Sequence, residues 1–209
     1  MKISVNTQSS IRIESNGKVL YFDPFKIEEE IHDADYIFVT HDHYDHYDEE
    51  SINNIKNDNT KIVLPLCLKD KEHNLLIEGY RIYGIDDIKF STIPSYNENK
   101  PFHPREKYYV GYLIELEGKK LYIMGDTDRT SEADATKCDI CFVPIGGTYT
   151  MDVDEAIEYI NFIKPELAIP IHYGSIVGDL SLGEKFKEST DSDIKVELYI
   201  KWGEENDKY

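Results

Sequence analysis

The chain has 209 residues, of which 40% are hydrophobic and 31% charged, a balance that excludes a disordered chain and allows a sizeable core. The formal net charge of −18, with Lys and Arg scattered along the chain, excludes nucleic acid as an expected partner. No apolar run can span a bilayer and the first residues lack the apolar core of a signal peptide, so we expect a cytoplasmic protein without a membrane partner.

Strand signals dominate the first part of the chain. Apolar and polar residues alternate on both sides of Asn16-Gly17, a dipeptide that favours the tight turn of a β-hairpin. Ile37–Thr40 and Ile62–Leu64 are short apolar runs typical of buried strands. Between them, Ile52 and Ile55 are one helical turn apart and predict a short helix.

The second part of the chain predicts another hairpin and two buried strands. Tyr112–Leu116 and Leu121–Met124 flank Glu117-Gly118-Lys119, which we expect to form the turn. Ile140–Val143 and Leu167–Ile171 are apolar runs, and Pro170 interrupts the second of them.

One longer helix is predicted between these last two strands. Asp152 and Glu155 have the spacing of a capping box, and Pro165 is expected to end the helix. Early hairpins followed by strand–helix–strand units predict an α/β fold with two sheets and outer helices. We expect one domain over residues 1–209.

Four predicted strands end at polar residues that could form a functional site. They are followed, in chain order, by His41, by Gly125-Asp126-Thr127, by Gly146-Gly147-Thr148 and by His172-Tyr173-Gly174. Because α/β proteins place their sites where strands end, these segments are expected to share one site.

Histidine and aspartate are concentrated at the first of these strand ends. His41 and His43 are placed to bind one metal ion, and Asp45 and His46 a second one. Asp126 offers two oxygens and can bridge the ions, while His172 can complete the second. The alternatives are a solvated polar loop, an aspartate that only forms a turn and a packed core histidine.

The same segments resemble a known family. His41-Asp42-His43-Tyr44-Asp45-His46 matches the HxHxDH signature of the metallo-β-lactamase superfamily, and Leu20–Phe25 resembles its DPF segment. Gly125-Asp126-Thr127 and Pro170–Gly174 resemble its bridging-aspartate and final-histidine motifs. The chain is most similar to the small metal-dependent hydrolases that include ascorbate-6-phosphate lactonase-like and NAPE phospholipase D-like proteins. This resemblance implies an αββα sandwich of two mixed β-sheets with helices on the outer faces and a dinuclear site at one edge.

One family histidine is missing from its usual place. The superfamily supplies it in a TPGHT-like segment, but the equivalent segment here, Ile93–Asn97, has none. His103 is the nearest histidine and is the candidate seventh ligand, with an ordinary surface histidine as the alternative.

The ligand set predicts hydrolysis of a small ester, lactone or phosphoester by a hydroxide that two divalent ions activate. Zn²⁺ is the expected ion, with Mn²⁺ and Fe²⁺ as alternatives. Asp45 and Asp126 are the expected catalytic residues, Asp45 by accepting or delivering a proton. The candidates for substrate contact are Tyr96, Asn97, Thr148, Tyr149 and Tyr173.

Other functions stay open at this point. The same ligands suit an iron-dependent oxidoreductase, a nuclease-type phosphodiesterase or a metal-binding protein without catalysis, although the acidic charge opposes the nuclease. A small-molecule substrate is the expected partner, and a homo-oligomer is possible.

Overall fold

Two mixed β-sheets form the framework in the computed structural model, which describes residues 1–200. The last nine residues of the predicted domain lie outside the described residues. The first sheet contains, in spatial and chain order, β1 (Lys2–Val5), β2 (Ile11–Ser15), β3 (Lys18–Phe22), β4 (Tyr36–Phe38), β5 (Lys61–Pro65) and β6 (Leu75–Ile77). Strands β1 to β3 pair antiparallel, and β3 to β6 pair parallel.

The second sheet follows the first along the chain. It contains β7 (Ile82–Ile85), β8 (Ile88–Pro94), β9 (Val110–Leu116), β10 (Lys119–Ile123), β11 (Ile140–Pro144), β12 (Leu167–Ile171) and β13 (Lys195–Val196), again in spatial order. Strands β7 to β10 pair antiparallel, and β10 to β13 pair parallel. The expectation of two mixed sheets is therefore confirmed.

Four α-helices connect these strands: α1 (Glu49–Ile55), α2 (Ser131–Ala135), α3 (Val153–Ile163) and α4 (Ser181–Ser189). Asp152 caps α3 as predicted, because its carboxylate accepts from the Asp154 and Glu155 backbone N–H groups while Glu155 accepts from the Asp152 N–H. Lys164, at φ 50°, ends the helix just before Pro165. Within residues 1–200, no helix is long and apolar enough to cross a bilayer.

Both predicted hairpins form with tight turns. Asn16 and Gly17 have φ angles of 50° and 74°, and Glu117 and Gly118 have 51° and 74°. Positive φ at both central residues is the signature of the turn that matches the twist of paired strands. Lys119 is already the first residue of β10, so the predicted three-residue turn was one residue too long.

The core lies between the two sheets. Rings from the first sheet meet rings from the second: the centroid of Phe38 is 5.4 Å from that of Phe90 and 5.3 Å from that of Tyr112. Neighbouring residues of the first sheet point to its other face, where Ile37 packs with Ile52 and Ile55 of α1. Helix α1 therefore covers the outer face, as the predicted sandwich requires.

Candidate metal centre

The polar strand ends of both sheets meet in one cluster. Its ligand atoms form two groups, in each of which the atoms lie within 4.8 Å of one another. The first group is His41, His43, His103 and Asp126, and the second is Asp45, His46 and His172. All seven predicted ligands are thus brought together, including His103, whose place the sequence left open.

Three ring nitrogens define the first group. Nδ1 of His43 lies 3.1 Å from Nε2 of His41 and 3.1 Å from Nε2 of His103. Two nitrogens that bind one Zn²⁺ at about 2.0–2.1 Å with tetrahedral angles lie about 3.4 Å apart. Both of these pairs of ring nitrogens therefore already have nearly the spacing that a shared ion requires.

Asp126 connects the two groups. Its Oδ2 lies 3.3 Å from Nε2 of His103 and 3.0 Å from Nε2 of His172, and its Oδ1 lies 3.3 Å from Nε2 of His46. In the second group, Oδ2 of Asp45 lies 3.5 Å from Nε2 of His172. One carboxylate thus faces ligand atoms of both groups, the arrangement expected of a bridging ligand.

Two atoms of the cluster show that it fits cations. Nε2 of His46 and Oδ1 of Asp126 are buried and lie 3.3 Å apart, but neither makes a well-aligned hydrogen bond among residues 1–200. Unpaired buried polar atoms are rare in native proteins because they are costly. Imidazole and carboxylate are the ligands of Zn²⁺, Mn²⁺ and Fe²⁺, so a bound divalent ion would satisfy both atoms.

Asp23 supports the histidines from behind. Its side chain is fully buried, and its Oδ2 lies 2.7 Å from Nδ1 of His46 and accepts from the Thr40 hydroxyl at 2.7 Å. The Thr40 oxygen is in turn 2.9 Å from Nδ1 of His41. Because Nδ1 of His46 donates to this carboxylate, Nε2 is the ring nitrogen that would bind a metal in place of a proton. Sequence reasoning missed this role, although Asp23 directly follows β3 and therefore also occupies a strand end.

Two further supporting groups had no sequence signal. The Gln8 side-chain amide donates to Oδ2 of Asp45 at 3.4 Å, and its carbonyl oxygen accepts from the Ile176 N–H at 3.3 Å. The Tyr109 hydroxyl donates to Asp42 at 2.6 Å, and its ring centroid lies 4.9 Å from that of His41. Both contacts join segments that are remote in the sequence.

The histidines and carboxylates shift one another's pKa values. Burial acts to raise the pKa of Asp45, but His172 and His46 outweigh it and lower the pKa to about 2. The pKa of Asp126 is lowered well below its usual value by the same two rings, again against burial. Burial alone would lower the pKa of His46, but Asp126 and Asp23 raise it well above its usual value. The carboxylates are therefore ionised at neutral pH, the form that binds cations.

Among the predicted substrate contacts, Asn97 and Tyr149 are close to the cluster. The Asn97 side chain donates to the Tyr149 carbonyl at 2.7 Å, and its backbone N–H donates to the His103 carbonyl at 2.9 Å. Asn97 therefore holds the loop that carries His103. Thr148, on the same loop as Tyr149, is exposed.

Tyr96 and Tyr173 point elsewhere. The Tyr96 hydroxyl donates to Glu132 at 2.8 Å, away from the seven ligands. Tyr173 is 1% exposed, and a Cβ added to Gly183 of α4 would lie 2.5 Å from its hydroxyl oxygen. The prediction that Tyr173 contacts substrate is not supported, because this side chain packs under α4 while its neighbour His172 faces the cluster.

Comparison with known proteins agrees with this geometry. A family model described as a beta-lactamase superfamily domain matches residues 2–172. The chain belongs to the metallo-β-lactamase superfamily. A relative, the UPF0173 metal-dependent hydrolase of Staphylococcus haemolyticus, is 31% identical over an alignment of length 202; the match covers 84% of this chain and 86% of the relative. The expected family and the expected enzyme class, a metal-dependent hydrolase, are both confirmed.

Solved structures extend the comparison. A protein of Parabacteroides distasonis described as a metal-dependent hydrolase has a TM-score of 0.82 and 26% identity, with 95% of this chain and 93% of that chain covered. CmlA, a diiron β-hydroxylase of Streptomyces venezuelae, has a TM-score of 0.71 but only 11% identity, with 95% of this chain and 52% of that chain covered. The second likeness shows a shared fold alone.

Proposed function

We propose that this metal-dependent hydrolase cleaves a small ester, lactone or phosphoester at a centre that holds two divalent ions, with Zn²⁺ as the expected metal. The observation that carries the proposal is the position of Asp126. Its two oxygens face both groups of ligand atoms, and one of them is buried without a partner. A single ion held by the first group would leave the Asp126 oxygen that faces His46 without a metal.

Each group of side chains has its own task in this proposal. The first group would hold one ion and the second group the other, with Asp126 between them. Held by these residues, divalent ions would supply a water molecule of lowered pKa and a positive charge for the electrophilic oxygen of the substrate. Asp45, which accepts a hydrogen bond from Gln8, belongs to the second group and is the residue proposed to accept a proton.

Metal analysis with activity assays tests the proposal. The purified protein is expected to contain two transition-metal ions per chain after reconstitution and to hydrolyse members of a panel of lactones, esters and phosphoesters. Less than one ion per chain would contradict the central claim. If two ions bind but no panel member is hydrolysed, the two-ion centre would be supported and the proposed substrate class would be refuted.

His46→Ala separates the two-ion centre from a one-ion centre. Because His46 belongs to the second group only, its loss should remove one ion and lower hydrolysis by roughly 100-fold, a cost typical of losing one electrostatic stabiliser. His73→Ala is the matched control, since His73 is exposed and outside both groups. Full activity in the His46 variant would refute the two-ion mechanism.

An iron-dependent oxidation is the second candidate function. It is favoured by the shared fold with a diiron hydroxylase and by a donor set that iron accepts. Iron in the protein as isolated from cells, with oxygen consumption in place of hydrolysis, would decide for it.

A further inference from the structure

A cavity of about 600 Å³ lies beside the metal centre and contains none of its seven ligands. It is open to solvent on one side and is lined by residues 78–81 before β7, by the end of β8, by Arg105, Tyr108 and Tyr109 before β9, and by the start of α2. Its volume is in the usual range of about 300–1,000 Å³ for sites that take small molecules. The lining shares Tyr109 with the surroundings of the metal centre, since this ring packs on His41.

Aromatic rings form much of the cavity wall. Tyr80, Tyr96, Tyr108 and Tyr109 all line it, and Tyr80 and Tyr108 are 63% and 61% exposed. Both exposed tyrosines have a left-handed backbone, with φ angles of 66° and 57°, which bulky residues adopt rarely and at a cost. Exposed rings held at a cavity in this way offer flat apolar faces to a planar ligand.

The polar part of the lining is already fixed in position. Glu132 accepts from the Tyr96 hydroxyl at 2.8 Å, from the Ser131 hydroxyl at 2.9 Å and from Arg105 at 2.6 Å. Arg105 also donates to the Tyr96 oxygen at 3.1 Å and lies over the Tyr96 ring, 4.7 Å from its centroid. These two bonds use two of the five N–H donors of a guanidinium, so Arg105 has donors left for a ligand.

The charges of the lining argue for an uncharged ligand. Two guanidinium groups and two carboxylates line the cavity, and they pair as Arg105 with Glu132 and Arg81 with Glu78, the latter at 2.5 Å. Because both positive groups already have a carboxylate and the chain carries a net charge of −18, an anion would gain little here. A cation would face two guanidinium groups.

We propose that this cavity is a second binding site, for an uncharged planar heteroaromatic ring with hydrogen-bond donors and acceptors on its edge, as in a nucleobase. The ring stacks on the exposed tyrosines, and its edge meets the fixed Arg105–Glu132 pair. This site is separate from the metal centre, because Tyr109 stands between the cavity and the ligand histidines.

Titration calorimetry of the metal-loaded protein with adenosine tests the proposal, with ribose as the probe that lacks the ring. Adenosine is expected to bind and ribose is not. Tyr80→Ala and Tyr108→Ala should each weaken adenosine binding about tenfold, the usual effect of losing one stacking ring. Ile82→Ala is the matched control, because Ile82 is 82% exposed on β7 and does not line the cavity.

A metal-site variant distinguishes the two places where adenosine could bind. His46→Ala should bind adenosine with unchanged affinity if the ring occupies the cavity. Loss of binding in this variant alone, equal binding of ribose, or no heat of binding up to millimolar adenosine would each overturn the proposal. Retained affinity in both tyrosine variants would do the same.

Discussion

At the scale of single residues, the centre depends on acceptors placed behind the ligands. Oδ1 of Asp23 accepts from the Thr40 N–H at 2.7 Å, and its Oδ2 faces both the Thr40 hydroxyl and the His46 ring. Both oxygens of this carboxylate therefore accept hydrogen bonds, and neither could be replaced by an N–H donor. The proposed metal affinity of His46 depends on this one buried carboxyl group.

Asp23→Asn should weaken metal binding while leaving every ligand in place. The amide would turn an NH₂ group towards one of the donors, so His46 would lose its fixed orientation. Loss of a partner behind a metal-binding histidine typically lowers affinity about 10–100-fold. Competition with a chelator measures the effect.

Asp58→Asn is the matched control for this experiment, because Asp58 is exposed. Unchanged metal affinity in the Asp23 variant would show that Asp23 does not orient His46.

At the scale of elements, turns and caps bring the ligands into place. The loop between β8 and β9 carries His103, and Asn97 ties this loop to Tyr149 before α3. Helix α3 itself begins at the capping box of Asp152. The position of His103 in the first metal group therefore depends on how the loop between β8 and β9 is held by Asn97.

Asp152→Ala should destabilise the fold without changing the chemistry. It removes the acceptor for two backbone N–H groups at the start of α3, which costs about 1 kcal/mol in the free energy of unfolding. Denaturant unfolding followed by circular dichroism measures this loss. Glu158→Ala, at an exposed position of the same helix, should leave stability nearly unchanged. An equal loss in both variants would refute the role of the cap.

Short sequence patterns correctly predicted turns and helix caps, which depend on bonds between residues close in sequence. Asn16-Gly17 and the Asp152 capping box form as expected because their bonds lie within a few residues. Pro170 is tolerated in β12 because its nitrogen faces the same side as the Ala168 carbonyl, which bonds beside β13. Within residues 1–200, β13 pairs with Leu167 and Ala168 and does not reach the proline, so no ladder bond is lost there.

Contacts between remote segments could not be predicted. Gln8 meets Asp45, and Tyr109 meets Asp42, only after both sheets have formed. Strands β7 and β8 were not predicted, since Gly84 and the polar residues Asp86-Asp87 interrupt their pattern. Tyr173 was predicted to contact substrate but packs under α4, because adjacent residues at a strand end can face opposite sides.

At the scale of the whole molecule, the candidate metal centre lies where the two sheets meet. His41, His43, Asp45 and His46 follow β4 of the first sheet, while Asp126 and His172 follow β10 and β12 of the second. Bound ions would therefore connect the sheets. Ligands that bind only the folded state raise its stability.

Removal of metal should lower the thermal midpoint of unfolding. At a free-metal concentration 100 times the dissociation constant, one site contributes about 2.7 kcal/mol. Calorimetry with Zn²⁺ and with a chelator compares the two states. The His46→Ala variant should show a smaller difference than the unchanged protein, and an equal difference would indicate that the second group adds nothing.

The order of the sheets along the chain has a further consequence. Residues 2–77 form the first sheet and residues 82–196 the second, and each proposed metal group takes ligands from both stretches. Cleavage of the backbone between them would give two fragments, neither of which carries a complete group. Metal release would then report dissociation of the fragments, and added metal would favour their reassembly.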